Sequence, residues 1–544
     1  MRGAEAIAEI LKREGTEFLV CYPRNAVIDA CAAIDIRTIV CRQERVGVGI
    51  ADGFSRIRRG KQNGVFAAQH GPGIENAFAG VAQAYAENVP LLVIPGGFSS
   101  ERQYIKPTFR AAEAFRPVTK WSAFVTTVEE IPAVMRRAYH AMRSGKPGPV
   151  LVEVDTAVLA AQFPGPLDYR PVAPTRCAPD PAAVERCVRL LLAAKRPLIW
   201  AGQGIHYAEA GAALAALAEL IPAPVAATNP GKSAIPDTHP LSLGGSTRSC
   251  SAAYAAFMAR ADLVLAIGSS LTKTSFGPAL PQGKTVIHAT NDPSDIHKDC
   301  RADEALVGDA ALVIDALVEE IGRQRGAPDP RALDELETEI GAMKRAWFDE
   351  WAKHFESDEV PINQYRVIGD LMKTVDRDNV IITHDSGSPR EQLLPFWQTT
   401  RAGSYIGWGK STQLGYGLGL AMGAKLAAPD KLCINVMGDA SFGMTGMDLE
   451  TASRNRIGVF TIVFNNQVMA CEREVMKIST QRFGALTLGG NYAKVADGLN
   501  VANRRVEKPG ELIPTIEEAI EVTGRGEPFL MEVVVKEGYD FSRY

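Results

Sequence analysis

The sequence predicts an α/β protein made of three doubly wound, parallel-sheet domains. Short apolar runs recur between amphipathic helical stretches, and that alternation is broken once by a Pro-rich segment and once by a long charged helix. The 544 residues suffice for about three cores of ordinary size. Apolar runs enclosed by helices indicate parallel strands covered on both faces.

Taken in order, the first domain is expected over residues 1–165. It comprises helix 4–14, strand "FLVCY", a helix near 26–33, strand "RTIVCR", helix 45–58, strand "GVFAAQ", helix 74–86, strand "PLLVIPG", helix 129–143 and strand "GPVLVEV". The Pro-rich stretch 163–181 suits a linker. A second α/β domain, 180–328, follows with "RPLIWAGQG", helix 207–220, "PAPVAAT", "ADLVLAIGSS" and "KTVIHAT". The charged helix 331–355 bridges to the third domain, 356–544, which carries helix 363–374, "NVIITHDSG", a Gly-rich helix 413–427, "KLCINVMGD", helix 446–455, "VFTIVFNN", helix 511–523 and "PFLMEVVV". The first and third domains share a layout of strand, Gly-containing turn, helix and strand, which suggests a duplication.

Net charge is −4 with Lys+Arg and Asp+Glu nearly balanced, so no summed field draws the chain to nucleic acid or an anionic membrane. A small-molecule substrate remains. The nine cysteines show no C-x-x-C and no zinc-like pairing with the eight histidines; they suit small buried hydrophobes in a reducing compartment. The N-terminus lacks the apolar core of a signal peptide, and no stretch approaches a membrane span. The expectation is a cytoplasmic enzyme.

The most informative stretch is "VMGDASFGMTGMDLETASRNRIGVFTIVFNNQ", 436–467. One apolar run ends in Gly438-Asp439 and the next in Asn465-Asn466. In an open parallel sheet ligands bind beyond the C-terminal strand ends, so two adjacent strands would bring Asp439 and Asn466 to one point. The helix start after Gly438 to Ser441 offers free N–H groups and a positive dipole, which suits phosphate. Carboxylate, amide oxygen and phosphate are hard ligands for Mg²⁺, so the expected site holds Mg²⁺ bridging a diphosphate. Gly-Asp and Asn-Asn are each common turns after strands. Their pairing across one helix and one strand favours the metal.

On these residues the chain resembles the thiamine diphosphate (ThDP) enzymes, whose signature is Gly-Asp-Gly, a helix and strand, then Asn-Asn. "CRQERVGVGIADGFSR", "GPGIENAFAGVAQAYAENVPLLVIPGG", "VTKWSAFVTTVEEIPAVMRRAYHAMRSGKPGPVLVEV", "THDSGS" and "LGYGLGLAMGAKLAAP" extend the resemblance over nearly the whole chain, toward the branch of acetohydroxyacid synthases and 2-hydroxyacyl-CoA lyases. It implies a pyrimidine-binding, a central and a diphosphate-binding domain. It assigns the metal to Asp439, Asn466 and the carbonyl of Val468, with Ala440 where the family has its third glycine. Glu44 matches the glutamate that hydrogen-bonds the pyrimidine ring, so that the cofactor yields a C2 carbanion for C–C cleavage or formation.

Leu414 matches the bulky residue beneath the cofactor, and the carbonyl of Thr412 the acceptor of its amino group. Tyr22, Pro23, Pro72, Gly73 and Asn76 match the loops around the pyrimidine, Gly387 and Ser388 match residues at the diphosphate, and Met469 lies just past the metal motif with Cys471 and Glu472. His70, in "QHGPG", is expected near the reacting carbon as a proton donor or acceptor. The family places Glu44 and Asp439 on different subunits, which implies a homodimer at minimum, a homotetramer by extension, and an active site at the interface.

The expected function is a ThDP- and Mg²⁺-dependent lyase, decarboxylase or carboligase acting on a 2-oxo acid or 2-hydroxyacyl(-CoA) compound. "YIKPTFRAAEAFRP" lacks the substrate-side glutamine of acetohydroxyacid synthases, which places acetolactate synthesis second. "GSSLTKTSFGPALPQGK" lacks their flavin-contact pattern, which argues against FAD and an FAD-dependent oxidase. Arg24 departs from the glycine that commonly follows that proline; it suits a substrate carboxylate or phosphate, or solvent.

Overall fold

The computed structural model describes residues 1–275, 277, 280–324, 330–538 and 540–544. Parts of the 268–284 segment, the expected boundary at 328 and Tyr539 thus lie outside the described residues. The first six strands are β1 (Phe18–Cys21), β2 (Arg37–Val40), β3 (Gly64–Ala68), β4 (Leu91–Gly97), β5 (Trp121–Val125) and β6 (Val150–Asp155). The next six are β7 (Pro197–Ala201), β8 (Val225–Thr228), β9 (Ser242–Ser246), β10 (Leu263–Ile267), β11 (Thr285–Thr290) and β12 (Glu304–Val307). The last six are β13 (Val380–His384), β14 (Tyr405–Ile406), β15 (Leu432–Gly438), β16 (Val459–Asn465), β17 (Ala502–Val506) and β18 (Phe529–Val534).

They form three parallel six-stranded sheets, in the orders β2-β1-β3-β4-β6-β5, β12-β11-β10-β7-β8-β9 and β14-β13-β15-β16-β18-β17. The first and third orders are identical position for position, which is the layout read as a duplication. The second is the dinucleotide-fold order, with its switch point between β7 and β10.

Strands β5, β9, β12, β14 and β17 are additions to the sequence reading, and each is a sheet edge. An edge strand is flanked on one side only. It keeps polar residues that hide the apolar signal, as in the half-exposed "ANRRV" of β17. Helix 207–220 divides into Gly204–Tyr207 and Gly211–Leu220, because Glu209 takes a left-handed φ of +52° between them. The Gly-rich helix begins at Tyr416 instead of 413, since its N-cap Gly415 has φ +87° and a Cβ there would meet the Thr445 side chain at 2.6 Å. Helix 446–455 is a 3-10 turn, Gly446–Asp448, followed by Leu449–Asn455, and a separate helix Asp439–Thr445 precedes it.

The first and third sheets are not separate bodies. Helix Glu44–Ile57 packs on helix Tyr416–Ala427, and one apolar cluster runs from Phe54 and Val81 through Tyr416 and Leu420 to Phe442 and Val463. Glycines permit the close approach: a Cβ on Gly53 would lie 2.2 Å from the Leu420 carbonyl, and one on Gly423 2.1 Å from that of Ile50. Among the described residues no helix is long and apolar enough to cross a membrane.

Candidate active site

Two clusters contain the residues singled out in the sequence. The first is built on neighbouring strand ends of the third sheet, where β15 pairs with β16 in register Gly438↔Phe464. Asp439 opens helix Asp439–Thr445 and is 3% exposed. Its Oδ1 accepts from Ala440 N at 2.8 Å, and its Oδ2 accepts from Gln467 N, just past the tip of β16, at 2.7 Å. The two tips are thus stitched by the carboxylate itself. Burial raises the Asp439 carboxyl above its ordinary range, and the surrounding backbone N–H groups partly offset that. Asn466 Oδ1 accepts from Val468 N at 3.1 Å and the Val468 carbonyl accepts from Ala470 N at 2.9 Å, so each keeps a lone pair. Ala440 lies in the first helical turn and outside the left-handed region, so the methyl strains nothing.

Asp385, which the sequence reading did not single out, organises this cluster. It is fully buried; Oδ1 accepts from Ser386 N and Gly415 N at 2.8 Å each, and Oδ2 from Gly417 N at 2.9 Å. It thereby joins the Gly387-Ser388 turn to the loop carrying Thr412 and Leu414, and the Ser441 side chain lies beside it. Ser388 Oγ lies 3.5 Å from the Sγ of the exposed Cys471, which places Met469 and Cys471 on the same rim. One signal was available: Asp385 ends β13 as Asp439 ends β15.

The second cluster is at the C-terminal ends of the first sheet. Glu44 is the first residue of its helix and 5% exposed. Its Oε2 accepts from Asn76 Nδ2, while Oε1 makes no hydrogen bond among the described residues and lies 3.5 Å from where a Cβ on Gly73 would be. Pro72 and Gly73 open the helix that carries Asn76. Tyr22 N donates to Ala67 O at 3.0 Å, and Asn25 Nδ2 donates to Ala68 O and Ile94 O at 3.0 and 2.9 Å, which fixes the Tyr22-Pro23 loop against β3 and β4. His70 follows β3. Its ring meets Phe98 edge-on at 4.4 Å, and its buried Nδ1 has no hydrogen-bond partner.

Arg45, next to Glu44, donates to the carbonyls of Leu414 and Met444 at 3.4 Å each, and Arg42 N donates to Asp448 Oδ1 at 2.7 Å. Within one chain, no hydrogen bond or ion pair among the described residues joins Glu44 or Asn76 to Asp439, Asn466, Val468 or Met469.

The residues present fit a diphosphate cofactor. Nothing lies within 4 Å of where a Gly438 Cβ would be, the carbonyl of Thr412 accepts no hydrogen bond among the described residues, and Glu44 Oε1 is open. A separate cavity of 1370 Å³ lies at the C-terminal ends of the second sheet, lined by Gly202, Gln203 and Gly204 of the "AGQGIHY" turn and by Gly268, Ser269 and Asn291. It stands at the C-terminal strand ends beside the sheet's switch point, where open parallel sheets bind ligands.

Models of the thiamine pyrophosphate enzyme N-terminal TPP binding domain, central domain and C-terminal TPP binding domain match residues 1–120, 184–317 and 385–533. A probable acetolactate synthase large subunit of Methanocaldococcus jannaschii is 30% identical over 98% of this chain and 92% of its own length. A glyoxylate carboligase of Escherichia coli O157:H7 is 26% identical over 98% and 93%. The crystal structure of benzoylformate decarboxylase from Polynucleobacter necessarius superposes with TM-score 0.83 at 21% identity, covering 99% of this chain and all of that one, a likeness of fold. The chain belongs to the thiamine pyrophosphate enzyme family, as a decarboxylase or carboligase that uses ThDP.

Proposed function

We propose that this protein is a Mg²⁺-dependent lyase, decarboxylase or carboligase that acts on a 2-oxo acid or 2-hydroxyacyl compound. The observation that carries the reading is the Asp439 carboxylate, buried at one strand tip and hydrogen-bonded to the residue after Asn466 at the next. Asp439, Asn466 and the Val468 carbonyl would hold Mg²⁺, and the turns at Gly387-Ser388 and Gly438 to Ser441 would bind the diphosphate. Leu414 would pack against the cofactor, and the Thr412 carbonyl, which accepts no hydrogen bond among the described residues, would accept one from its amino group. Glu44, with Tyr22, Pro23, Pro72, Gly73 and Asn76 around it, receives the pyrimidine. When bound, ThDP supplies the nucleophilic carbon and the electron sink. His70 would donate or accept a proton near the reacting carbon, and Met469 would line the pocket.

The two clusters meet between two copies of the chain, which makes a homodimer the minimum and a homotetramer its extension. Exposed Phe78 and Tyr85 on helix Pro72–Ala86, and Met444 and Met447 after Asp439, support that contact. The compartment proposed is the cytoplasm.

The test is Glu44→Gln, a nearly isosteric change. ThDP-dependent turnover of a panel of 2-oxo acids, with and without aldehyde acceptors and including acyl-CoA compounds, should fall to background while the circular dichroism spectrum stays that of the wild type. Undiminished turnover refutes the assignment. A second reading, an acetolactate synthase-like carboligase, is favoured by the relatives; acetolactate formed from pyruvate would establish it. The central cavity offers room for a nucleotide or CoA, FAD being disfavoured by the sequence around it, and a flavin absorption spectrum in the purified protein would overturn that and reopen the oxidase.

A further inference from the structure

The loop after β1 has a feature that cofactor binding does not use. Arg24 takes φ +72°, a left-handed conformation that a Cβ disfavours and that glycine or asparagine would adopt with less strain. The loop is not loose: the Tyr22 and Asn25 hydrogen bonds clamp it on both sides, and Asn25 Oδ1 also accepts from Val27 N at 3.0 Å to cap the next helix. The Arg24 side chain is exposed and makes no hydrogen bond, ion pair or ring contact among the described residues.

Topology says where this cation stands. β1 lies between β2 and β3, so its loop lies between the loop that ends in Glu44 and the loop that carries His70. An unpaired guanidinium held in a strained backbone on that rim fits a substrate anion, which it can grip through two parallel N–H donors. Which anion follows from the chemistry. The carboxylate next to the reacting carbonyl loses its charge when CO₂ leaves, and a cation paired tightly to it would stabilise the ground state and oppose the step. A guanidinium serves the reaction on a group that keeps its charge.

We propose that Arg24 is a specificity-determining residue that binds a second anionic group at the end of the substrate remote from the reacting carbonyl, so that the preferred substrate is a 2-oxo acid bearing a distal carboxylate or phosphate. This rests on the 2-oxo acid reading above.

The test compares 2-oxoglutarate, its near-isosteric C5 methyl ester and 3-phosphohydroxypyruvate on the enzyme loaded with ThDP and Mg²⁺. The wild type should favour 2-oxoglutarate or 3-phosphohydroxypyruvate over the ester by roughly tenfold or more in kcat/KM, the scale of a charge-assisted hydrogen bond. Whichever of the two is turned over identifies carboxylate or phosphate. In Arg24→Ala that ratio should fall toward one, chiefly through KM, and Arg24→Lys should restore part of it. Arg24→Gly should lose the ratio and raise Tm, because it removes the backbone strain. An ester that matches both distally charged substrates in the wild type, an unchanged ratio in Arg24→Ala, or dissociation of the oligomer in that variant would each overturn the inference. If wild type turns over only 2-oxo acids without a second charge, the inference fails and the 2-oxo acid reading stands; if it turns over none, both fail.

Discussion

At the scale of single residues, the candidate site presents polar atoms that the chain's own hydrogen bonds leave open. Among the described residues Glu44 Oε1, the Thr412 carbonyl and His70 Nδ1 have no hydrogen-bond partner, and each Asp439 oxygen accepts a single backbone N–H, which leaves lone pairs for a metal. Buried polar groups are rarely left unpaired without a use. His70→Ala should therefore lower kcat, on the order of 10²-fold if the imidazole is a proton carrier, with Tm little changed because the ring forms no hydrogen bond in the free protein. Kinetics indistinguishable from the wild type would return His70 to packing against Phe98. Asp439 and Asn466 were expected together because each stands at a strand end with a recognisable neighbour in sequence, whereas Glu44, a helix-opening acid, was expected only through the family resemblance. Asp385 and Phe98 were not, since a lone Asp in "THDSGS" or a lone Phe after "VIPGG" has no spacing partner.

At the scale of elements, two features lend themselves to measurement. Gly53 and Gly423 let two helices cross with almost no separation. Gly53→Ala adds about 1 kcal/mol of helix propensity, but its Cβ would meet backbone that no rotamer change can move. A net loss of about 1–3 kcal/mol in urea unfolding is expected, and a stabilised variant would contradict the packing.

The second feature is the 98–112 segment, pinned at both ends by strand β6. Asp155 Oδ2 accepts from Ser100 N at 2.7 Å, and Glu153 Oε2 accepts from Ala112 N at 2.8 Å. Burial pushes Glu153 up to about 7, against the pull of the Ala112 and Ala111 N–H groups, with Glu113 and Arg110 as its charged neighbours. Because that value is raised above the unfolded one, the contribution of Glu153 is fully present below about pH 4.5 and lost as pH rises through about 7. The stability of the wild type relative to Glu153→Gln should fall by roughly 3 kcal/mol across that window. A flat difference would remove Glu153 as its source.

At the scale of the whole molecule, three layers are tied together at one buried acid. Asp237, in the second unit, accepts through Oδ2 from Lys232 Nζ at 2.8 Å and from Thr399 N and Oγ1 of the third unit at 2.9 and 2.8 Å. Lys344 of the bridging helix donates to the Asp237 carbonyl at 2.9 Å. Lys232 is fully buried, so Asp237→Ala should cost about 3–5 kcal/mol by stranding its charge. Lys232→Met combined with Asp237→Ala should recover most of that. A single variant as stable as the wild type would show that the tie contributes nothing.

What the sequence determined by itself is the local grammar: thirteen strands with their apolar runs, the helices between them, and the motif that ends β15 and β16. Those signals are carried by neighbours in the chain. Tertiary structure alone decided five of the six edge strands, which are short or, as in β5, β12 and β17, half-exposed, and the placement of Asp385, two of whose partners lie about thirty residues away. It also decided that helix Glu44–Ile57 should lie against helix Tyr416–Ala427, because a glycine announces that a backbone can come close but not which backbone will.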